Sequence, residues 1–177
     1  SFQTCPRKCF WAYIEQLESV KRSDALDVGS LFHQMIEHLG YVKTPEMIAP
    51  SESDLENYAK ALSMANAYHR ELGLPMSTRY TNVGSEQTFR IPLRTSNGGQ
   101  SKTYMLTGKI DGMVQDNKTG EFCLVEHKTT SKVDGAYLDK LALDLQIMIY
   151  MLAARHYMAI VAPVCVIYNI VQKPTVK

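Results

Sequence analysis

Two short apolar runs that each end in a carboxylate restrict this chain more than any other feature. Gly108-Lys109-Ile110-Asp111 closes the first, and Glu126-His127-Lys128 closes the second. Between them lies Gln115-Asp116-Asn117-Lys118-Thr119-Gly120, a polar stretch with turn chemistry. The pattern predicts a hairpin with Asp111 on one strand and Glu126 and Lys128 on its neighbour. Residues two apart on a strand share a face, so Glu126 and Lys128 point one way and His127 the other. Two carboxylates and an amine converging on one spot suit a hard divalent cation and a polarised water. That is the chemistry of phosphodiester hydrolysis.

The flanking pattern changes from helical to strand-like near residue 79. Helical spacing marks Phe2 to about Val20, and again Val28 to Tyr41. Thr44 to Pro50 reads as a linker. Ser53 and Glu56 form a capping-box pair opening a helix to about Leu72, which Gly73 and Pro75 end. Arg79 to Leu93 reads as a strand, Thr95 to Lys102 as a hairpin loop, and Thr103–Val114 and Glu121–Lys128 as the next strands. A loop at Lys132–Tyr137 precedes one long helix from Leu138 to about Met158, apolar on nearly all sides and so packed on the sheet. Val161 to Val171 is a last strand, with Pro163 marking an edge or a strand start. The expectation is one α/β domain, helical over 1–75 and a sheet core over 79–171, with part of its C-terminal end absent.

In chain order, several short motifs accompany the acidic pair. They are Cys5-Pro6-Arg7-Lys8 at a helix start, Gly29-Ser30-Leu31-Phe32-His33, Glu86, the Asp111 and Glu126-x-Lys128 elements, and Gln146-Ile147-Met148-Ile149-Tyr150. Together they resemble the PD-(D/E)XK nuclease superfamily, and within it the RecB-like exonucleases of recombination enzymes, CRISPR adaptation and phages. The resemblance implies a restriction-endonuclease-like αβββαβ core with a central mixed sheet. It also implies a divalent-metal-dependent DNA exonuclease acting in recombination, repair or phage DNA processing. A structure-selective or sequence-specific endonuclease on the same fold is an alternative, as is a DNA-binding scaffold with a dead site. His127 stands where that family carries an apolar or aromatic residue; facing away from Glu126, it should affect the metal little.

By this resemblance Asp111 and Glu126 hold one or two Mg²⁺ or Mn²⁺ ions, with the backbone carbonyl of His127 and His33 as further ligands. His33 and Gly29 lie one helical turn apart on one face; a structural histidine is the plainer reading of His33. Glu86 is either an additional carboxylate or an exposed strand residue. Lys128 either holds the nucleophilic water and stabilises charge on the phosphate or acts as a general base. Gln146 and Tyr150, also one turn apart, can contact the DNA strand. Arg7 and Lys8, with Lys21 and Arg22, form either a phosphate-binding patch or a solvated helix face. His38 and His69 are read as surface residues.

Composition sets outer limits. The 177 residues are 45% hydrophobic and 21% charged, an ordinary globular balance for one domain. No apolar run approaches the ~18–20 residues of a membrane span, and a cytoplasmic protein is expected. The net charge of +1 neither requires nor excludes nucleic acid. A helicase or recombination partner subunit would be compatible. Of the four cysteines, Cys123 and Cys165 read as free thiols in the core, in keeping with a reducing compartment. Cys5 and Cys9 are too few to close a metal site, and no C-terminal cysteine triplet accompanies Cys5, so an iron–sulfur cluster is not expected.

Overall fold

The computed structural model describes residues 5–17, 24–39, 55–157 and 163–174. The linker at Thr44–Pro50, Ser53 of the capping box, Lys21 and Arg22 fall outside this range, as does the side chain of His38. The described part is a four-stranded sheet in the order β1-β2-β3-β4. Its strands are β1 (Tyr80–Arg94), β2 (Gln100–Asp116), β3 (Phe122–Thr130) and β4 (Cys165–Gln172). β1, β2 and β3 run antiparallel, whereas β4 runs parallel to β3. A parallel neighbour requires a crossover, supplied by α5 (Gly135–Ala142) and α6 (Leu145–Tyr157). The sheet is therefore mixed and flanked by helices, as expected of a restriction-endonuclease-like core.

The predicted hairpin at 115–120 forms. The Asp116 carboxylate accepts from Lys118 N at 2.8 Å, Gly120 N donates to the Asp116 carbonyl at 2.7 Å, and Gly120 takes φ 77°. That left-handed conformation suits glycine alone without strain. β2 pairs with β3 only over Gly112–Gln115, while its pairing with β1 runs out to Gln100. The outer half of the β1–β2 hairpin thus stands beyond the rest of the sheet.

One face of the sheet packs on α6, with Phe89, Ile110, Met113 and Leu124 against Ile147, Tyr150, Ala153 and Ala154. A second core joins α2 (Asp24–Leu39) to α3 (Leu55–Tyr68) through Val28, Phe32, Ile36, Ala61 and Met64. Val171 of β4 packs against it, which seats the helical part on the other side of the sheet.

Several boundaries differ from the sequence reading. The first helix is short: α1 (Pro6–Cys9) runs into a π-helical turn, Phe10–Ile14, and stops at Gln16, whose φ is 53°. Leu17 N closes the end on the Trp11 carbonyl at 2.9 Å, the bond of a left-handed helix cap. Gly73 and Pro75 do not end the helical run. A π-helical turn, His69–Gly73, leads into α4 (Leu74–Arg79), where proline falls in the first turn and its missing N–H is not needed. The single helix expected over 138–158 is two. Asp134 caps α5 by accepting from Tyr137 N, and Asp144 accepts from Gln146 N at 2.9 Å to begin α6 anew. Aspartate side chains that bond nearby backbone N–H groups compete with a continuing helix.

The cysteine expectation needs correction. Cys123 and Cys165 face each other in the β3–β4 register, 4.8 Å apart at Cα, and form a disulfide. Cys123 is buried but Cys165 is exposed, so the pair links the core to the sheet's edge. Cys5 and Cys9 are free.

Candidate active site

The end of β2 and the middle of β3 bring the sequence-predicted carboxylates to adjacent strands, where they occupy two connected clusters. In the first, Asp111 accepts from His127 N at 2.9 Å and lies 3.8 Å from His33 Nδ1. Glu86 of β1, set in the register opposite Asp111, completes the group. Donor atoms of His33, Glu86 and Asp111 all lie within 4.8 Å of one another. Glu86 also pairs with Lys109, and it holds φ 53°, left-handed for a residue with a side chain.

The second cluster lies on the α6 face of β3. Glu126 Oε1 receives Lys128 Nζ at 2.8 Å and Gln146 Nε2 at 3.1 Å. Gln146 Oε1 accepts from Lys128 Nζ at 2.9 Å, and its amide nitrogen also donates to the Tyr150 hydroxyl at 2.8 Å. One helical turn therefore ties Gln146 and Tyr150 to the acid and the lysine. Asp144, at the break before α6, lies 3.4 Å from Lys128 Nζ. The sequence reading missed this residue; its position two before Gln146 at a helix start was the available signal.

Burial governs the protonation of both clusters. It pushes the Glu126 carboxyl up to about 7, with the Asp111 charge adding to the rise and the bond from Lys128 opposing it. Burial also works against the charge on Lys128, but Glu126 and Asp144 outweigh it and leave that ammonium more firmly protonated than usual. His33 is lowered, first by burial and then by Lys128 and Lys109, against the opposing pull of Asp111 and of a backbone hydrogen bond with His127.

The His127 ring faces away from Glu126, but it does not leave the site. Burial holds it down to about 4. It meets the rings of His33 and Tyr68 edge to face at 6.0 and 5.4 Å and lies 3.3 Å from Asn169 Nδ2. Asn169 and Tyr68, neither of them singled out in the sequence, thus support the ring beside a candidate ligand. A cavity of about 480 Å³ opens next to it, bounded by Glu86, Asp111, His127, Tyr68 and the exposed His69. Arg7 and Lys8 lie on exposed α1, with the Arg7 guanidinium 4.9 Å over the Trp11 ring. No hydrogen bond or ion pair among the described residues joins them to either cluster.

Two observations bear on whether a hard divalent cation suits these residues. One imidazole and two carboxylates with donor atoms within 4.8 Å of one another form a nitrogen–oxygen donor set that a divalent cation can share. Glu126 Oε2 is buried with no hydrogen-bond partner among the described residues, and a buried carboxylate oxygen is costly unless something compensates it. The residues fit the group.

No helix among the described residues is long and apolar enough to cross a membrane. A search of curated proteins finds none that matches the chain. A family model for the PD-(D/E)XK nuclease superfamily matches residues 1–177, the whole of the sequence. Carboxylates on adjacent strands, a lysine two residues after the second and a donor set fit for a divalent metal agree with that match: the chain belongs to the PD-(D/E)XK nuclease superfamily.

Proposed function

We propose that this protein is a divalent-metal-dependent exonuclease of the RecB-like type that hydrolyses phosphodiester bonds in DNA, in recombination, repair or phage DNA processing. The observation that carries the reading is the Gln146 hub, which links Lys128, Glu126 and Tyr150 through three hydrogen bonds. Beside it, His33 adjoins Asp111 from a separate helix. Asp111, Glu126 and His33 are the residues to hold the metal, with Glu86 and the His127 carbonyl alongside. When bound, the cation supplies Lewis-acid polarisation of the phosphate and an acidified water. Lys128 keeps its proton and places a positive charge where negative charge grows on the phosphate. Gln146 and Tyr150 orient Lys128 and Glu126 and present polar groups to the strand.

The test is cleavage of end-labelled linear DNA and of circular DNA, each with Mg²⁺, with Mn²⁺ and with EDTA. Wild type should degrade only the linear substrate, only with metal, and Lys128→Ala and Asp111→Asn should lose at least a hundredfold in rate, on the scale of one electrostatic stabiliser. Cutting of circular DNA would make the protein an endonuclease. Metal-independent DNA binding without cleavage would make it a scaffold.

A further inference from the structure

The outer β1–β2 hairpin carries an unusual charge distribution. From Gln87 to Ile110 the sequence contains Arg90, Arg94, Lys102 and Lys109 and not one aspartate or glutamate. With those four set aside, 15 of the chain's 19 basic residues remain against all 18 acidic ones. The rest of the protein is therefore net negative, and a near-neutral total conceals a basic arm. Charge so placed is an electrostatic footprint for a polyanion.

The strand register puts Arg90 and Lys109 on the side of the arm that leads to the candidate metal cluster, and Arg94 and Lys102 are exposed nearer its tip. Phe89 and Ile91 turn inward and are buried, so Thr88 and Arg90 turn outward and are exposed. Thr88 pairs with Lys109 and Arg90 with Thr107, which extends the exposed face across both strands. Lys109 reaches Glu86 on this face, and Glu86 groups with Asp111 and His33. At about 3.4 Å per residue, Arg90 lies roughly 14 Å and Arg94 roughly 27 Å along the arm from Glu86. β3 does not pair with β2 before Gly112, and α6 covers the opposite face near Phe89, where the Phe89 and Tyr150 ring centroids are 5.8 Å apart.

We infer that the arm is a backbone-gripping track: its outer face, with Arg90, Lys109 and the Thr88 and Thr107 hydroxyls, together with the exposed Arg94 and Lys102 nearer its tip, holds the sugar-phosphate backbone of a nucleic acid strand leading to Asp111. The inference rests on the nuclease reading for what lies at the track's end, but not for the grip itself. Phosphate contacts of this kind fix register and carry no sequence information.

The decisive variant is Arg90→Gln/Arg94→Gln/Lys102→Gln in the full chain, with Arg90→Lys/Arg94→Lys as the charge-retaining control. Binding of a fluorescein-labelled single-stranded oligonucleotide in EDTA is measured against salt. Three lost contacts should flatten the slope of log K against log salt by about 2, at roughly 0.7 per contact for a single strand, while the lysine variant keeps the wild-type slope. The p-nitrophenyl ester of thymidine 5′-phosphate is too short to reach Arg90, so its metal-dependent hydrolysis should be unchanged in the triple variant. An unchanged slope, or equal loss on the ester and the oligonucleotide, would overturn the track. Loss of oligonucleotide binding in a protein that hydrolyses neither substrate would keep the track and overturn the nuclease reading instead.

Discussion

Reduction of the Cys123–Cys165 disulfide provides a quantitative test of how β4 is held. The bridge joins residues separated by 42 positions and spans the crossover through α5 and α6. In the chain-entropy treatment, a loop of that length restricts the unfolded chain by about 4 kcal/mol at 25 °C. Against the ~5–15 kcal/mol that stabilises a typical domain this is a large share, and it corresponds to roughly 10 °C in Tm for a protein of this size. Cys165→Ser should reproduce the effect of dithiothreitol, because Cys165 is exposed and its replacement introduces no buried polar group. Cys123→Ser should cost about 1–3 kcal/mol more, since its hydroxyl would be buried. β3 and β4 remain paired from Cys123–Cys165 to Thr130–Gln172, so nuclease activity at 25 °C should persist while heat inactivation accelerates. The measurements are urea unfolding with and without dithiothreitol, and thiol titration of the denatured, unreduced protein. Two reactive thiols, from Cys5 and Cys9, are expected; four thiols, or coincident unfolding midpoints, would refute the argument.

Three further outcomes follow from packing and charge. Gly108→Ala places a methyl 2.5 Å from Phe89 Cζ and 3.2 Å from Tyr150 Cε1; urea unfolding should show a loss of about 1–3 kcal/mol, partly restored by adding Phe89→Leu. Phe32→Ala empties a fully buried position between the rings of His33 and Tyr68 and should cost about 3–5 kcal/mol; a loss under about 1 kcal/mol would contradict the α2–α3 core. The Asp116 carboxyl is held below its usual range by the Lys118 N–H and then by Arg79. Its folded pKa is depressed, so the stabilisation is fully present above the ordinary value of 3.8 and lost as pH falls through the folded value. The gap in unfolding midpoint between wild type and Asp116→Asn should hold above pH ~5 and shrink below pH ~4; a gap that widens with acid would reverse the sign.

The features legible in the sequence were those written in local periodicity. The β2–β3 hairpin followed from two short apolar runs on either side of a polar turn ending in Gly120. The shared face of Gln146 and Tyr150 followed from a spacing of one helical turn. The break between α5 and α6 was not legible, because Leu143 and Asp144 bring neither glycine nor proline. It depends on the Asp144 side chain capturing Gln146 N. The disulfide needed the β3–β4 register, which sets Cys123 opposite a residue 42 positions away. The basic arm was hidden for the same reason. Arg90 and Lys109 share an exposed face only once β1 and β2 are aligned, and in the linear sequence they are scattered cations. His127 was assigned the correct side of its strand, but the rings waiting on that side belong to α2 and α3.

Glu86 combines a strained backbone with a place in the candidate metal cluster. A left-handed φ costs a side-chain-bearing residue on the order of 1–3 kcal/mol, and glycine would adopt the same backbone freely. A chain selected for stability alone would carry glycine or asparagine at position 86. What the glutamate adds is the reach of its carboxylate to His33, Asp111 and Lys109. Efforts to thermostabilise this protein by relieving backbone strain would therefore be drawn first to a member of the candidate metal cluster.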